Sequence, residues 1–260
     1  DVYKRQVRAG AAIADQLLAT RVGAAPDGRP VYSHPTGPVV FDLLLDNLKD
    51  GGSSTSVAIT GQKTWRDGVF EGLDVRSSYT YTESEDGNPM TSSQPDSSFV
   101  RFASADHNNP VLATSDYEMR HKFSVNANYT RAFFGNNETS INVYAQRRSG
   151  LPFSYVYHNS RSGIYDNDFG NAVPQSYSGA LGTSNQLFYV PQTDSNGVVT
   201  ATSDPRITYA SGFNLTDFNA FLNNTGLMKY AGSIAPRNAF RTGAVTTVDL
   251  RLSQEIPVPV

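Results

Sequence analysis

Apolar and polar residues alternate strictly along several segments of the chain, which is the pattern of a β-strand with one apolar and one polar face. In one such segment Leu73 and Val75 fall on one face, whereas Asp74 and Arg76 fall on the other. Five segments share this pattern or a strand-like composition: 54–65, 69–84, 117–134, 139–148 and 244–256. The sequence therefore predicts an all-β fold with about five long antiparallel strands.

The connections between these strands alternate in length. Residues 66–68 and 135–137 form short turns, whereas residues 83–116 and 149–243 form long segments. Loops beyond about 12–15 residues are uncommon in compact domains, but transmembrane β-barrels combine short periplasmic turns with long extracellular loops. We therefore expect a fragment of a large antiparallel transmembrane β-barrel.

The longest connection is predicted to contain one short strand-like run and two short helices. Residues 215–222 predict a helix, capped by Asn214 or Thr216, with Asp217 in its first turn. Residues 186–190 predict a short strand. We expect both to belong to an extracellular loop.

In a barrel, one face of each strand contacts lipid and the other lines a polar lumen. The apolar face gives the predicted lipid-facing residues: Leu73, Val75, Tyr79, Tyr81, Phe123, Val125, Tyr129, Ile141, Val143, Val248, Leu250 and Leu252. The polar face gives the predicted lumen-facing residues: Arg76, Arg120, Lys122, Gln146, Arg148, Asp249 and Arg251. Aromatic residues beside the short turns predict a girdle at the inner interface: Trp65, Phe70, Phe133 and Phe134.

A soluble β-sandwich explains the same alternation, because its strands also pair an apolar face with a polar one. A secreted binding or adhesin-like module of this kind would bury Tyr79, Tyr81 and Phe123 and would expose Arg76 and Lys122 to water. Small sandwiches space their strands about 8–12 residues apart, whereas the connections here are uneven. The barrel is the preferred hypothesis, and the sandwich is the alternative.

Composition narrows the classes of function. The chain has no cysteine, 17% charged residues and a net charge of −3, together with 14 Tyr and 14 Phe. Without cysteine there is no disulfide scaffold and no cysteine zinc site. Without a basic excess, nucleic acid is not an expected partner. No apolar run reaches the roughly 18 residues of a transmembrane helix.

No pattern in the sequence predicts an enzyme, a metal site or a bound cofactor. The four histidines share no metal-ligand spacing, and no serine lies in a G-x-S-x-G elbow. Asp166-Asn167-Asp168 lacks the rest of a calcium loop and is interpreted as a surface turn. Several loop aromatics either contact a ligand or pack against one another: Tyr155, Tyr157, Tyr165, Phe169 and Tyr177.

The second half of the chain resembles a known family. Residues 217–241, DFNAFLNNTGLMKYAGSIAPRNAFR, followed by residues 246–257, TTVDLRLSQEIP, resemble the C-terminal barrel region of TonB-dependent outer-membrane receptors of the Oar-like group. Three other segments resemble the same region: GLPFSYVY (150–157), NQLFYVP (185–191) and DGVFEGLDVRSSYTYTESED (67–86). The resemblance covers about residues 30–257, and the run from NQLFYVP to SQEIP is its most specific part.

This resemblance implies a 22-stranded barrel with a plugged lumen in the bacterial outer membrane. It also implies three partners, namely outer-membrane lipid, an extracellular solute of unknown identity, and the TonB energy complex. The plug and the TonB-contacting segment of the family have no counterpart in this sequence.

The ends indicate a fragment of a longer protein. Residues 1–6, DVYKRQ, are interpreted as translated sequencing-adapter read-through. Residues 7–52 contain one apolar cluster but no firm element, and we assign them to an extracellular loop region. Residues 53–257 are then part of the barrel domain, without the plug.

Overall fold

The computed structural model describes residues 7–12, 21–32, 43–45, 51–90, 102–106, 109–157 and 186–256. Strands dominate these residues, and the long strands pair with one another in antiparallel fashion. A single α-helix occurs among the described residues. The prediction of an all-β chain is confirmed.

The strands follow one another in chain order as β1 (Val7–Ala12), β2 (Arg21–Ala24), β3 (Pro30–Tyr32), β4 (Leu43–Leu45), β5 (Ser53–Thr64), β6 (Leu73–Asp86), β7 (Ala113–Thr114), β8 (His121–Phe134), β9 (Asn137–Arg148), β10 (Pro152–Phe153), β11 (Tyr189–Val190), β12 (Ser233–Ile234), β13 (Phe240–Arg241) and β14 (Val245–Gln254). Helix α1 (Leu215–Thr225) is followed by a 3-10 helix (Leu227–Tyr230).

The chain divides into two compact units. The sheet unit comprises Ser53–Glu85, Asp116–Pro152 and Phe240–Val260. The loop unit comprises Asp1–Gly52, Asp86–Ser115 and Phe153–Ala239.

Five long strands build the sheet unit in the spatial order β14-β9-β8-β6-β5. Each long strand lies beside the long strand that precedes it in the chain, so the sheet is a meander. Antiparallel ladders satisfy the backbone groups of the three inner strands on both sides. β5 and β14 are the two outermost of the long strands.

The connection between β5 and β6 differs from the predicted turn. β6 begins at Leu73 and not at residue 69, and residues 65–72 form a compact loop. The Trp65 N–H donates to the Leu73 carbonyl over 2.9 Å, and the Gly72 N–H donates to the Trp65 carbonyl over 3.1 Å. These bonds extend the hairpin ladder without adding regular strand.

Gly72 is required at the end of this loop. Its φ is +89°, and a Cβ at this position would meet the Thr130 carbonyl oxygen at 2.0 Å. The Thr130 N–H also donates to the Gly72 carbonyl over 2.9 Å. Only glycine combines the left-handed conformation with so close an approach of two backbones.

The hairpin of β8 and β9 is tighter. Gly135, with a φ of +66°, and Asn136 separate Phe134 from Asn137, which pair with each other. At its other end, β8 begins at His121 and not at residue 117 as the alternation predicted.

Short strand pairs and one capped helix form the regular part of the loop unit. β1 pairs with β4, β2 pairs with β3, and β11 pairs with β12. The first two pairs lie within residues 7–52, where the sequence predicted no firm element.

The predicted helix is confirmed as α1. Asn214 is the N-cap, and its side chain accepts from the backbone N–H groups of Thr216 and Asp217 at 3.1 Å each. The helix continues past residue 222 to Thr225 and ends at Gly226, whose φ is +75°.

The apolar core of the described residues lies in the loop unit. The buried hydrophobic residues there are Phe102, Leu187, Tyr189, Val190, Val199, Leu222, Leu227 and Ala235. The five long strands of the sheet unit contain no buried apolar residue.

Candidate functional site

One face of the sheet is mostly apolar. Reading across the strands, Val75 pairs with Ala127, Ala127 with Val143, and Val143 with Leu250. On the edge strands the exposed fraction reaches 68% at Ile59 and 72% at Leu250. Each residue predicted to face lipid lies on this face, and each is exposed or half-buried. Contact with lipid itself stays a prediction.

Aromatic rings lie at both ends of this apolar face. Near the short connections, the Trp65 and Phe70 rings are 6.2 Å apart and the Tyr129 and Phe133 rings are 6.1 Å apart. At the other end the Tyr79 hydroxyl is 2.8 Å from Nδ1 of a histidine, His121. Trp65, Phe70 and Phe133 thus lie near the short connections, where the sequence predicted an aromatic girdle. The position of these rings at a membrane interface stays a prediction.

Cations accompany the rings near the short connections. The Lys63 ammonium lies 5.9 Å from the centre of the Trp65 ring, a cation–π geometry. Arg131 Nη1 donates to the Tyr129 hydroxyl over 3.4 Å. Both cations are therefore engaged by aromatic neighbours.

The opposite face is polar and is linked by side-chain hydrogen bonds. Arg76 donates to Gln62 over 2.9 Å, and Asn142 donates to Asn126 over 2.7 Å. The hydroxyls of Ser78 and Ser124 and those of Thr130 and Ser140 are 2.8 Å apart in each pair. The predicted lumen-facing residues within the strands lie on this face: Arg76, Lys122, Gln146, Arg148, Asp249 and Arg251.

Arg120 lies just before β8, and it participates in a buried ion cluster that the sequence did not predict. The Glu118 side chain is fully buried and accepts from Arg120 Nε over 3.0 Å. It also accepts from Arg241 Nη2 and, over 2.6 Å, from the Ser84 N–H. One carboxylate therefore joins the end of β6 to the segments that lead into β8 and β14.

Sequence reasoning missed Glu118 and Arg241 because they are 123 positions apart. Glu118 lies at the start of the predicted strand 117–134, and Arg241 lies outside the predicted strands. Alternation within one strand does not reveal a partner so far along the chain, so no local pattern marks the pair.

Two of the predicted loop aromatics pack inside the loop unit. The Tyr155 ring meets Phe221 edge-on at 5.8 Å, and the Tyr157 ring lies 5.0 Å from Phe188. Burial raises the pKa of the Tyr157 hydroxyl. At both positions these contacts support the interpretation that the loop aromatics pack against one another.

The remaining loop candidates, Tyr165, Phe169 and Tyr177, lie outside the described residues. The turn at residues 166–168 and the chain end at residues 1–6 lie outside them too.

A second buried carboxylate organises the loop unit. Asp204 Oδ2 accepts from the Tyr189 hydroxyl over 2.8 Å and from the Gln192 N–H over 2.9 Å. Oδ1 accepts from the Arg206 N–H over 2.9 Å. Burial alone would raise the pKa of Asp204, but these bonds and the Arg206 charge outweigh it, so the pKa lies below its ordinary value.

Buried arginines tie distant segments of this unit together. Arg29 donates to the Gln186 side chain over 2.8 Å and to the Leu187 carbonyl over 2.9 Å. Arg237 Nη2 donates to the Asp86 carboxylate over 2.7 Å. These contacts hold segments of the loop unit together.

Within the described residues, no group of three or more His, Cys, Asp or Glu side chains could hold a metal ion. No helix in the part of the chain that the structure describes is long and apolar enough to cross a membrane. Comparisons with protein families, with curated proteins and with solved structures found no match to this chain. Any function proposed for this chain therefore depends on its geometry and its sequence.

Replacing Glu118 should destabilise the sheet unit strongly. The Glu118→Ala variant leaves Arg241, Arg120 and the Ser84 N–H without their shared carboxylate, and losing such a buried, hydrogen-bonded partner costs about 1–3 kcal/mol. Equilibrium denaturation measures the loss. The exposed Glu85 on β6 provides a matched control, because Glu85→Ala should change stability by less than about 0.5 kcal/mol. Equal effects of the two substitutions would contradict the assigned role of Glu118.

Acid should destabilise the loop unit through Asp204. A carboxylate whose folded pKa is lowered contributes its full stability above the unfolded pKa of about 4 and loses it as the pH falls through the folded pKa. Thermal melting followed by tyrosine circular dichroism should therefore show a falling midpoint below about pH 4. In Asp204→Asn the midpoint should be lower at neutral pH and less dependent on acid. An acid dependence identical to that of the parent chain would show that Asp204 does not carry the effect.

Proposed function

We propose that the chain forms part of the wall and the extracellular loops of an outer-membrane β-barrel of the TonB-dependent receptor class. The observation that carries the proposal is the sheet of five long strands, which has one apolar face and one polar face. These five strands contain no buried apolar residue. A barrel wall between lipid and a polar lumen has these two faces.

The lack of a sheet core separates this proposal from a soluble sandwich. A sandwich buries the apolar face of each sheet against a second layer about 10 Å away. Here Val248, Leu250 and Leu252 are 64–72% exposed, and Tyr79 and Phe123 are exposed as well. Exposed apolar patches of this extent mark contact with a protein partner or a membrane.

The height of the apolar face fits a bilayer. Nine residues lead from Leu73 to Tyr81, both on the apolar face, and a tilted strand crosses a membrane with about 9–11 residues. His121 pairs with Tyr81 at one end of this span. At the other end Lys63 pairs with Val75, two residues inside Leu73, and its ammonium lies against the Trp65 ring.

The connections support the orientation of the proposed barrel. Residues 65–72 and the turn at Gly135 and Asn136 join strands at one end of the sheet, and the long connections leave from the other end. In outer-membrane barrels the short turns are periplasmic and the long loops are extracellular. In this proposal the connections from β6 to β8 and from β9 to β14 are then extracellular loops, where a solute is captured.

In this proposal each part of the chain has a defined task. The apolar face anchors the wall in lipid, and the polar face lines the path of the solute. The loop unit contacts the solute, and the plug and TonB-contacting segment lie in parts of the protein outside this sequence. The resemblance of residues 185–257 to Oar-like receptors supports this division of roles.

The proposal that every second residue of β14 contacts lipid can be tested with single introduced cysteines, because the chain has no native cysteine. Single spin-labelled cysteines at residues 248–253, in protein reconstituted into vesicles, should alternate in accessibility. Oxygen, which partitions into lipid, should reach positions 248, 250 and 252, whereas a water-soluble nickel chelate should reach 249, 251 and 253. Protection of the even positions from both reagents would indicate a protein core and would favour the sandwich.

The receptor class is tested by the complete gene. We expect a signal peptide, a plug and a short TonB-binding segment upstream, and further alternating strands that end in an aromatic residue downstream. A reading frame that begins near residue 7 and ends near residue 260 would contradict the proposal, because five strands cannot close a transporter barrel.

A further inference from the structure

Two cations lie directly opposite each other on the polar face of the sheet. Lys122 on β8 pairs with Arg148 on β9, and we call these two residues the opposed pair. In the adjacent pair the Ser149 N–H donates to the His121 carbonyl over 2.8 Å, so the opposed pair is a non-hydrogen-bonded one, in which side chains lie closer together. Its Cβ atoms are about 4.5–5.5 Å apart, a separation at which like charges destabilise a sheet.

No carboxylate of the described residues neutralises the opposed pair. The row of side chains that contains it continues to Thr80 on β6 and to Val245 on β14, neither of which is charged. Within the described part of the chain, the Lys122 and Arg148 side chains form no ion pair and no hydrogen bond. A shortage of acidic residues does not explain this, because the chain has 24 Asp and Glu residues against 21 Lys and Arg.

Two carboxylates near this end of the sheet are engaged by other cations. Glu118 accepts from Arg120 and from Arg241. The Glu83 carboxylate lies 4.0 Å from Arg120. The opposed pair therefore retains two positive charges that an anion from outside the sheet can neutralise.

The opposed pair lies where the long connections join the sheet. Lys122 is the second residue of β8, and Arg148 is the last residue of β9. The Lys122 residue is exposed and Arg148 is half-buried. The next row on the same face offers uncharged hydroxyl and amide groups: Ser78, Ser124, Gln146 and Thr247. A ligand held by the two cations can therefore form neutral hydrogen bonds further along the face.

We propose that Lys122 and Arg148 bind an oxyanion, a carboxylate or phosphate group, of the solute that enters the lumen. This inference rests on the proposed function, since it requires that the polar face line the path of the solute. The Arg148 guanidinium offers parallel N–H donors that match two oxygens of such a group, and the Lys122 ammonium adds a compact charge. An anion between the two cations replaces their mutual repulsion by two attractions.

Charged thiol reagents test this proposal on the full-length protein in lipid nanodiscs, with any cysteine outside this sequence replaced by serine. Ser124→Cys, a nearly isosteric change, places a thiol two residues from Lys122 on the same face. The anionic reagent, methanethiosulfonate ethylsulfonate, should react faster than its cationic trimethylammonium counterpart, relative to the ratio of the two rates with free cysteine. Adding Lys122→Gln and Arg148→Gln should lower this normalised ratio about fivefold, since two cations at about 7 Å then no longer act on reagents of opposite charge.

Citrate and inorganic phosphate are the two anion probes. At least one of them should slow the reaction of Ser124→Cys with the anionic reagent, and the stronger protector identifies the bound group as a carboxylate or a phosphate. Neither should slow the reaction once Lys122→Gln and Arg148→Gln are added.

Arg251→Gln is the matched control, because it removes a cation from the same face near the other end of the sheet, where Arg251 pairs with Asn142. It should leave the ratio of the two rates unchanged. A parent protein without anion preference would show that a carboxylate outside this sequence already neutralises the opposed pair, and this result would overturn the proposed site. An equal loss of preference in Arg251→Gln, or protection by neither anion, would overturn it as well.

A thiol on the other face separates failure of this site from failure of the proposed function. Leu250 is 72% exposed, so Leu250→Cys should react with neither reagent if lipid covers the apolar face. Protection at position 250 without anion preference at position 124 would leave the membrane wall intact and remove the anion site. Rapid reaction at position 250 with both reagents would show that water covers the apolar face, and both proposals would fall together.

Discussion

Backbone pairing among the five long strands fixes their register, and the register decides which side chains share a face. A shift of one residue would move every apolar side chain to the polar face. In the observed register Val75, Ala127, Val143 and Leu250 form one row across four strands. Everything proposed about function depends on this row and its neighbours, because they create an apolar surface that the sheet unit does not cover.

The two units differ in which side chains they bury. The sheet unit leaves its apolar side chains outside and buries a carboxylate, that of Glu118, among donors from three segments. The loop unit has an apolar and aromatic core, but it too depends on buried charge at Asp204 and Arg29. In both clusters the buried charge is matched by hydrogen-bond partners from several segments, as a buried charge requires.

Much of the sheet could be predicted because period-two alternation is a local property of the sequence. It gave the faces of Leu73, Phe123 and Leu250 directly, and the Asn214 cap gave the start of α1. The start of β6 could not be predicted, since the close contact between Gly72 and Thr130 decides it. The ion pair of Glu118 and Arg241 and the short strands of residues 7–52 depend on partners far apart in the chain, which no local pattern reveals.

The most direct test of a sheet face in lipid uses Trp65, the single tryptophan of this sequence. Its fluorescence should be measured in vesicles with brominated lipids, in full-length protein with any other tryptophan replaced by phenylalanine. The account predicts strong quenching by bromine near the ends of the hydrocarbon layer and weaker quenching by bromine at its centre, because Trp65 follows the last strand residue of β5. Efficient quenching by aqueous iodide together with no quenching by any brominated lipid would contradict the central claim that this sheet is a membrane wall.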